Sequence, residues 1–93
     1  MMITLETPNE MAESAAKRFR QVRKAKKVTL KELSLRSGVP YSTIRRFEAS
    51  GEISFLSLVK IVSALGEDRE ITGLFAEPVP HSIEEVIRAN RRN

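Results

Sequence analysis

Apolar residues recur along most of this chain at three- and four-residue steps, the period of helices with one buried face. Residues 1–7 alternate weakly instead, with Ile3 and Leu5 on one side, which suits a short edge strand or a frayed terminus, and Thr7-Pro8-Asn9 closes them as a turn. From Asn9 or Glu10 to Lys26 the pattern is helical, through Met11, Ala15, Phe19, Val22 and Lys26, and its early acids Glu10 and Glu13 suit the helix dipole. A second helix opens after Thr29, because Thr29 and Glu32 form a capping box in which each side chain can satisfy an orphan backbone N–H. Leu30 and Leu33 give that helix its apolar stripe. Gly38 ends it in a left-handed corner that Val39 can plug, and Pro40 presets φ for a third helix. There Ile44 and Phe47 point to the core, leaving Tyr41, Ser42, Arg45 and Arg46 on or near the outer face.

Ala49-Ser50-Gly51-Glu52 reads as a loop, after which Ser54 caps a helix with Phe55, Leu58, Val59, Val62 and Leu65 on a broad apolar face that Gly66 ends. Such a stripe is core rather than a ligand pocket. A short fifth helix starts within Glu67-Asp68-Arg69-Glu70 and carries Ile71, Leu74 and Phe75. Pro78-Val79-Pro80 must be extended, since each proline biases its predecessor away from the helical region. Beyond it Ser82-x-x-Glu85 is another capping box, and Ile83, Val86 and Ile87 give the last helix one narrow apolar edge. So short a helix cannot hold itself and must dock on its own domain, a twin or a partner. The expectation is an all-α protein of five helices with a short sixth, divided into an extension (1–8), a domain (9–77) and a proline-bounded tail (78–93).

Charge sharpens this picture. The 93 residues carry a net +4, but from Lys17 to Arg46 eleven bases face one acid, Glu32, so that stretch holds +10 and the remainder −6. A positive patch beside an acidic remainder is either an ordinary solvated helix face or the footprint of a nucleic-acid binder, whose contacts to phosphates release condensed counterions, and its union with the helix pair around Gly38 favours the second.

Other chemistry finds few residues. There is no cysteine, hence neither a disulfide framework nor a thiolate metal site, and the one histidine, His81, stands in the proline-flanked joint with no catalytic constellation around it. The four glycines are isolated at corners, not gathered in a phosphate-cradling loop. No enzyme, cofactor or metal is therefore expected. The longest apolar run is too short to span a bilayer and no signal sequence opens the chain, so the expected location is cytoplasmic.

Two helices around a tight glycine corner, the second basic outside, form a helix-turn-helix. Thr29-Leu30-Lys31-Glu32-Leu33, then Gly38-Val39, Ile44, Glu48 and Gly51, resemble the motif of the phage-repressor, or xenobiotic-response-element (XRE), family, and with Phe19 to Leu65 the likeness covers about half the chain. It departs at Leu30, where the family usually has a glutamine that touches a DNA phosphate, at Ser34 in place of a small alanine, and at Pro40 in place of a serine or threonine cap. The resemblance implies a lambda-repressor-like fold and a structural ion pair between Arg23 of the first helix and Glu48.

For a dimeric operator-binding repressor, the helix after Gly38 reads bases with Pro40, Tyr41, Ser42, Arg45 and Arg46, a thymine methyl suiting Pro40 and a guanine suiting either arginine. Whether both arginines meet only phosphates stays open at this point. Further phosphate contacts fall to Lys26, Lys27, Thr29, Lys31 and Arg36. Ile71, Leu74 and Phe75, with Ile83, Val86 and Ile87 of the tail, form the dimer or partner surface. The Phe47-Glu48-x-x-Gly51-Glu52-Ile53-Ser54 corner and the basic tail are also similar to HipB-type antitoxins, which implies an autoregulating antitoxin that binds a HipA-like kinase toxin. The alternatives are a phage-type or housekeeping repressor without a toxin, or a protein-interaction module on the same fold.

Overall fold

The computed structural model describes residues 5–76. Five helices follow one another: α1 (Pro8–Ala25), α2 (Leu30–Ser37), α3 (Tyr41–Ser50), α4 (Phe55–Ala64) and α5 (Asp68–Thr72). The fold is all-α. Among the described residues there is no strand, and Leu5 stands in solvent, while the sixth helix, with Ile83, Val86 and Ile87, lies outside the described residues.

Helix α1 starts earlier than its apolar period suggests. Thr7 and Glu10 form a capping box of the kind read at Thr29: Thr7 N–H donates to Glu10 Oε1 at 2.9 Å and Glu10 N–H to Thr7 Oγ1 at 3.1 Å. Pro8 sits at the first turn, where its missing N–H costs nothing. The expected turn at Thr7-Pro8-Asn9 is thus a helix start. The Thr7 backbone N–H, and then its hydroxyl, hold the Glu10 carboxyl below the usual glutamate range.

The buried seam of α1 is also turned from the expected one. Ala16 and Arg23 are buried and Ala12 and Phe19 half-buried, whereas Met11, Ala15, Val22 and Lys26 are exposed. The reason is the close approach of the chain after α3: a Cβ built on Gly51 would lie 2.7 Å from the Ala12 carbonyl carbon. Only a small residue fits beneath such a crossing. Phe19 then stacks edge-on against Phe47, with ring centroids 5.4 Å apart.

Leu33, Val39, Ile44, Phe47, Ile61 and Leu65 close the core with Ala16 and Val28. In α4 the buried positions are Ile61 and Val62, with Leu58 and Val59 half-buried; Phe55, expected inside, is mostly exposed. Ser54 caps α4 by accepting the Ser57 N–H at 3.1 Å. Helix α3 packs on α1 and α2, and α4 on α2 and α5. The outer side of α3 is left uncovered by the other helices.

Candidate nucleic-acid interface

The corner between α2 and α3 is built from short-range bonds. Gly38 takes φ 76° and its N–H donates to the Ser34 carbonyl at 2.9 Å. Ser34 Oγ donates to the Val39 carbonyl at 2.7 Å, and Ser37 Oγ accepts the Val39 N–H at 3.1 Å. Serine at position 34 is thus small enough for the crossing and also satisfies a carbonyl of the turn. Pro40 is the N-cap of α3 and offers no side-chain bond. The first N–H groups of α3 are left to solvent or to a ligand.

Arg23 fixes α3 from behind. Its Nε donates to Glu48 Oε2 at 2.7 Å, its Nη2 to Glu48 Oε1 at 2.9 Å and its Nη1 to the Val28 carbonyl at 2.9 Å, with side chains only 8% and 7% exposed. One guanidinium therefore ties α1, the α1–α2 turn and α3 together. The Glu48 bonds raise the Arg23 pKa above its ordinary value against the opposing effect of burial. Sequence reading missed Arg20, whose Nε lies 4.0 Å from Glu48 Oε1. Arg20, Arg23, Leu30, Arg45, Glu48 and Ala49 line a shallow notch between α1, the start of α2 and α3. Arg20 and Arg23 pair with the one carboxylate there and Arg45 lines the same notch, leaving it cationic.

On the outer face of α3, Pro40, Tyr41, Ser42, Arg45 and Arg46 are all exposed, while Ile44 and Phe47 are buried on the other side. The two arginines part company. Arg45 turns to the notch beside Arg20; Arg46 turns the other way, and its Nη2 donates to Glu52 Oε2 at 2.8 Å. Helix α3 reaches this acid because it runs on through Ala49 and Ser50, expected as loop, until Gly51 caps it at φ 82°. Ser50 Oγ donates to the Arg46 carbonyl at 2.7 Å and accepts the Glu52 N–H at 3.2 Å. The corner was legible by resemblance, but the Arg46–Glu52 pair was not, since a six-residue separation pairs here only through that left-handed glycine.

The residues expected to meet phosphates lie on α2 and in the turn before it. Lys27 and Lys31 are exposed, and Lys27 has a left-handed backbone, φ 58°. Thr29 spends its hydroxyl on the Glu32 N–H as the α2 cap, and Arg36 Nη2 lies 3.5 Å from Glu32 Oε2. Lys26 is drawn elsewhere: its Nζ is 3.5 Å from Glu67 Oε1, at the corner between α4 and α5. On α5 and after it, Ile71 is half-buried, Leu74 exposed and Phe75 91% exposed.

An exposed, cation-edged helix held by a buried ion pair has the dimensions to enter a major groove about 12 Å wide. Comparison with curated proteins and with solved structures finds no match. Residues 19–71 match the family model described as helix-turn-helix, HTH_3, which spans more than half of the chain and takes in Arg23, the corner, α3 and Ile71. The chain belongs to the XRE-type helix-turn-helix family, a family of sequence-specific DNA-binding regulators.

Proposed function

We propose that this chain is a transcriptional repressor that binds its operator as a homodimer, with one α3 in the major groove of each half-site. The observation that carries the reading is the two-sidedness of α3, fixed to the core by Ile44, Phe47 and the Glu48 pair while Tyr41, Ser42, Arg45 and Arg46 face solvent. A single such helix reads only a few base pairs, so two-fold pairing supplies the missing affinity and site length. The exposed apolar pair Leu74 and Phe75, with Ile71 behind it, supports that pairing. Lys27, Lys31, Arg36, Thr29 and Lys26 take the phosphates, Lys26 by exchanging Glu67 for one and Thr29 by turning its hydroxyl proton from Glu32 to one. The test is binding to operator DNA, selected from a random library, as salt is varied. A dimer neutralising six phosphates gives a log–log slope of about −5. A slope near zero, or no retention of DNA at low salt, removes the repressor.

Within that reading the biological role we favour is the autoregulating antitoxin of a pair with a HipA-like kinase. Its support is the likeness of the corner from Phe47 to Ser54 and of the basic tail, residues 78–93, which lies outside the described residues. Cutting the chain after Glu77 should weaken a kinase complex recovered from the native host and spare operator binding. If the cut protein instead loses its dimer and its DNA together, a plain phage-type or housekeeping repressor is the better reading.

A further inference from the structure

Glu52 puts a negative charge on the surface that the proposed function gives to a polyanion, and the corner around it is built to keep it there. Its carboxylate accepts from Arg46 Nη2 at 2.8 Å, while its backbone N–H returns to Arg46 through Ser50, whose hydroxyl bonds the Arg46 carbonyl. Side chain and backbone of one acid thus both lead to one arginine. The corner cannot drift, because the Gly51 backbone lies against Ala12 and Glu13 of α1, where an added Cβ would stand 2.7–2.9 Å from main-chain atoms. Stability does not explain the arrangement, since both side chains are largely in water, at 72% and 67% exposure, where such pairs contribute little. Nor does affinity, since a carboxylate there repels phosphates.

We infer that Glu52 is a specificity-determining residue for DNA, acting through Arg46. By accepting one N–H of Nη2, it biases the guanidinium toward the side of α3 where Thr43 lies opposite Ile53, Ser54 and Ser57, and leaves the other N–H donors free. An arginine so held presents a fork to the O6 and N7 of a guanine and is kept from folding onto the sugar–phosphate backbone. Glu52 therefore exchanges affinity for all DNA against discrimination among sequences. The inference rests on α3 being the DNA-reading helix.

The experiment compares the full chain with its Glu52→Gln variant, measuring binding to the selected operator and to a random duplex across the same salt series. Glutamine keeps the size and an acceptor but not the charge. The variant should bind random DNA several-fold more tightly, with a salt slope steeper by about 1 per subunit. Its operator-to-random ratio should fall about tenfold, the lower end of what a bidentate base contact discriminates. In an Arg46→Ala background the same substitution should leave the ratio unchanged, because the residue it acts through is gone. An unchanged ratio in the single variant, or an equal fall in both backgrounds, overturns the inference while the repressor stands. Wild-type protein that binds neither duplex overturns the repressor and this inference with it.

Discussion

Two arginine–glutamate pairs meet α3 from opposite sides, one a buried bidentate pair with a third bond to the Val28 carbonyl, the other a single bond in water. Arg23–Glu48 is 2.7 Å long and Arg46–Glu52 is 2.8 Å, yet the side chains are 8% and 7% exposed in the first pair and 72% and 67% in the second. Positions 46 and 48 are two apart on a helix, so their side chains diverge, one to the core and one to solvent. In the buried pair three of the guanidinium's donors have protein acceptors, and removing either partner strands a charge where water cannot reach it. In the exposed pair each partner can be traded for water, salt or another ion at small cost. The same chemistry therefore holds the fold on one side of the helix and remains available for exchange on the other.

The largest effect should come from breaking the buried pair. Glu48→Ala leaves the Arg23 charge without its carboxylate and should cost about 3–5 kcal/mol of stability in a denaturant melt. Arg23→Ala should cost less, because Arg20 is already 4.0 Å from Glu48 and more than half exposed, free to move in. Exposed Lys24 should tolerate alanine within about 0.5 kcal/mol. A Glu48→Ala protein that melts with the wild type would show that the pair carries no weight in the fold.

Next come the two glycine corners, which flank α3 and separate strain from crowding. Gly38 and Gly51 have nearly equal φ, 76° and 82°, but a Cβ at Gly38 meets nothing within 4 Å while one at Gly51 meets the backbone of α1. Gly38→Ala should cost only the left-handed conformation, about 1–2 kcal/mol. Gly51→Ala adds a clash that no side-chain movement relieves, and should cost about 2–4 kcal/mol. It should also loosen the Arg46–Glu52 side of α3. Equal costs at the two glycines would refute the tight crossing at Ala12.

How much of this was legible in the sequence follows the range of each signal. The α2–α3 corner could be read because Thr29, Glu32, Gly38 and Ile44 act on neighbours within a few residues. The α1 seam could be read only at Phe19: two alanines and an arginine, Ala12, Ala16 and Arg23, are buried or half-buried there, and a reading that follows the apolar period of Met11, Ala15, Phe19 and Val22 selects the adjacent stripe. The charge of Arg23 hid its burial until its partner at Glu48 was considered, and that partner came from family resemblance rather than from periodicity. Glu52 was read only as part of a loop and of a corner known by resemblance, with no sign of its pairing to Arg46. Its meeting with Arg46 depends on the φ of Gly51 and on the two further helical residues of α3, Ala49 and Ser50.

A smaller effect, seen in binding rather than folding, tests the solvent side. Arg46→Ala or Tyr41→Ala should weaken operator binding by about 1–3 kcal/mol more than binding to random DNA, as the loss of a base contact does. Lys27→Ala should weaken both alike. Arg45→Ala sharpens the division between the two arginines, since its position beside Arg20 in the notch predicts the behaviour of Lys27 and not of Arg46. Equal selectivity losses at Arg45 and Arg46 would place both on the bases.

The smallest effect closes the comparison. If water is what separates the two pairs, then Glu52→Gln and Arg46→Ala should each move the melting transition by no more than about 0.5 kcal/mol, and the double variant by no more than their sum. The coupling between Arg46 and Glu52 should come out at about 0–1 kcal/mol, as exposed pairs do. Between Arg23 and Glu48 the same cycle should give several times that, although the single variants there are read against the rescue offered by Arg20. A strong stability coupling between Arg46 and Glu52 would mean that the corner at Gly51 is a folding element that the pair closes. Glu52 would then be conserving the end of α3, and a change in DNA selectivity on its removal would follow from a frayed helix rather than from a freed arginine.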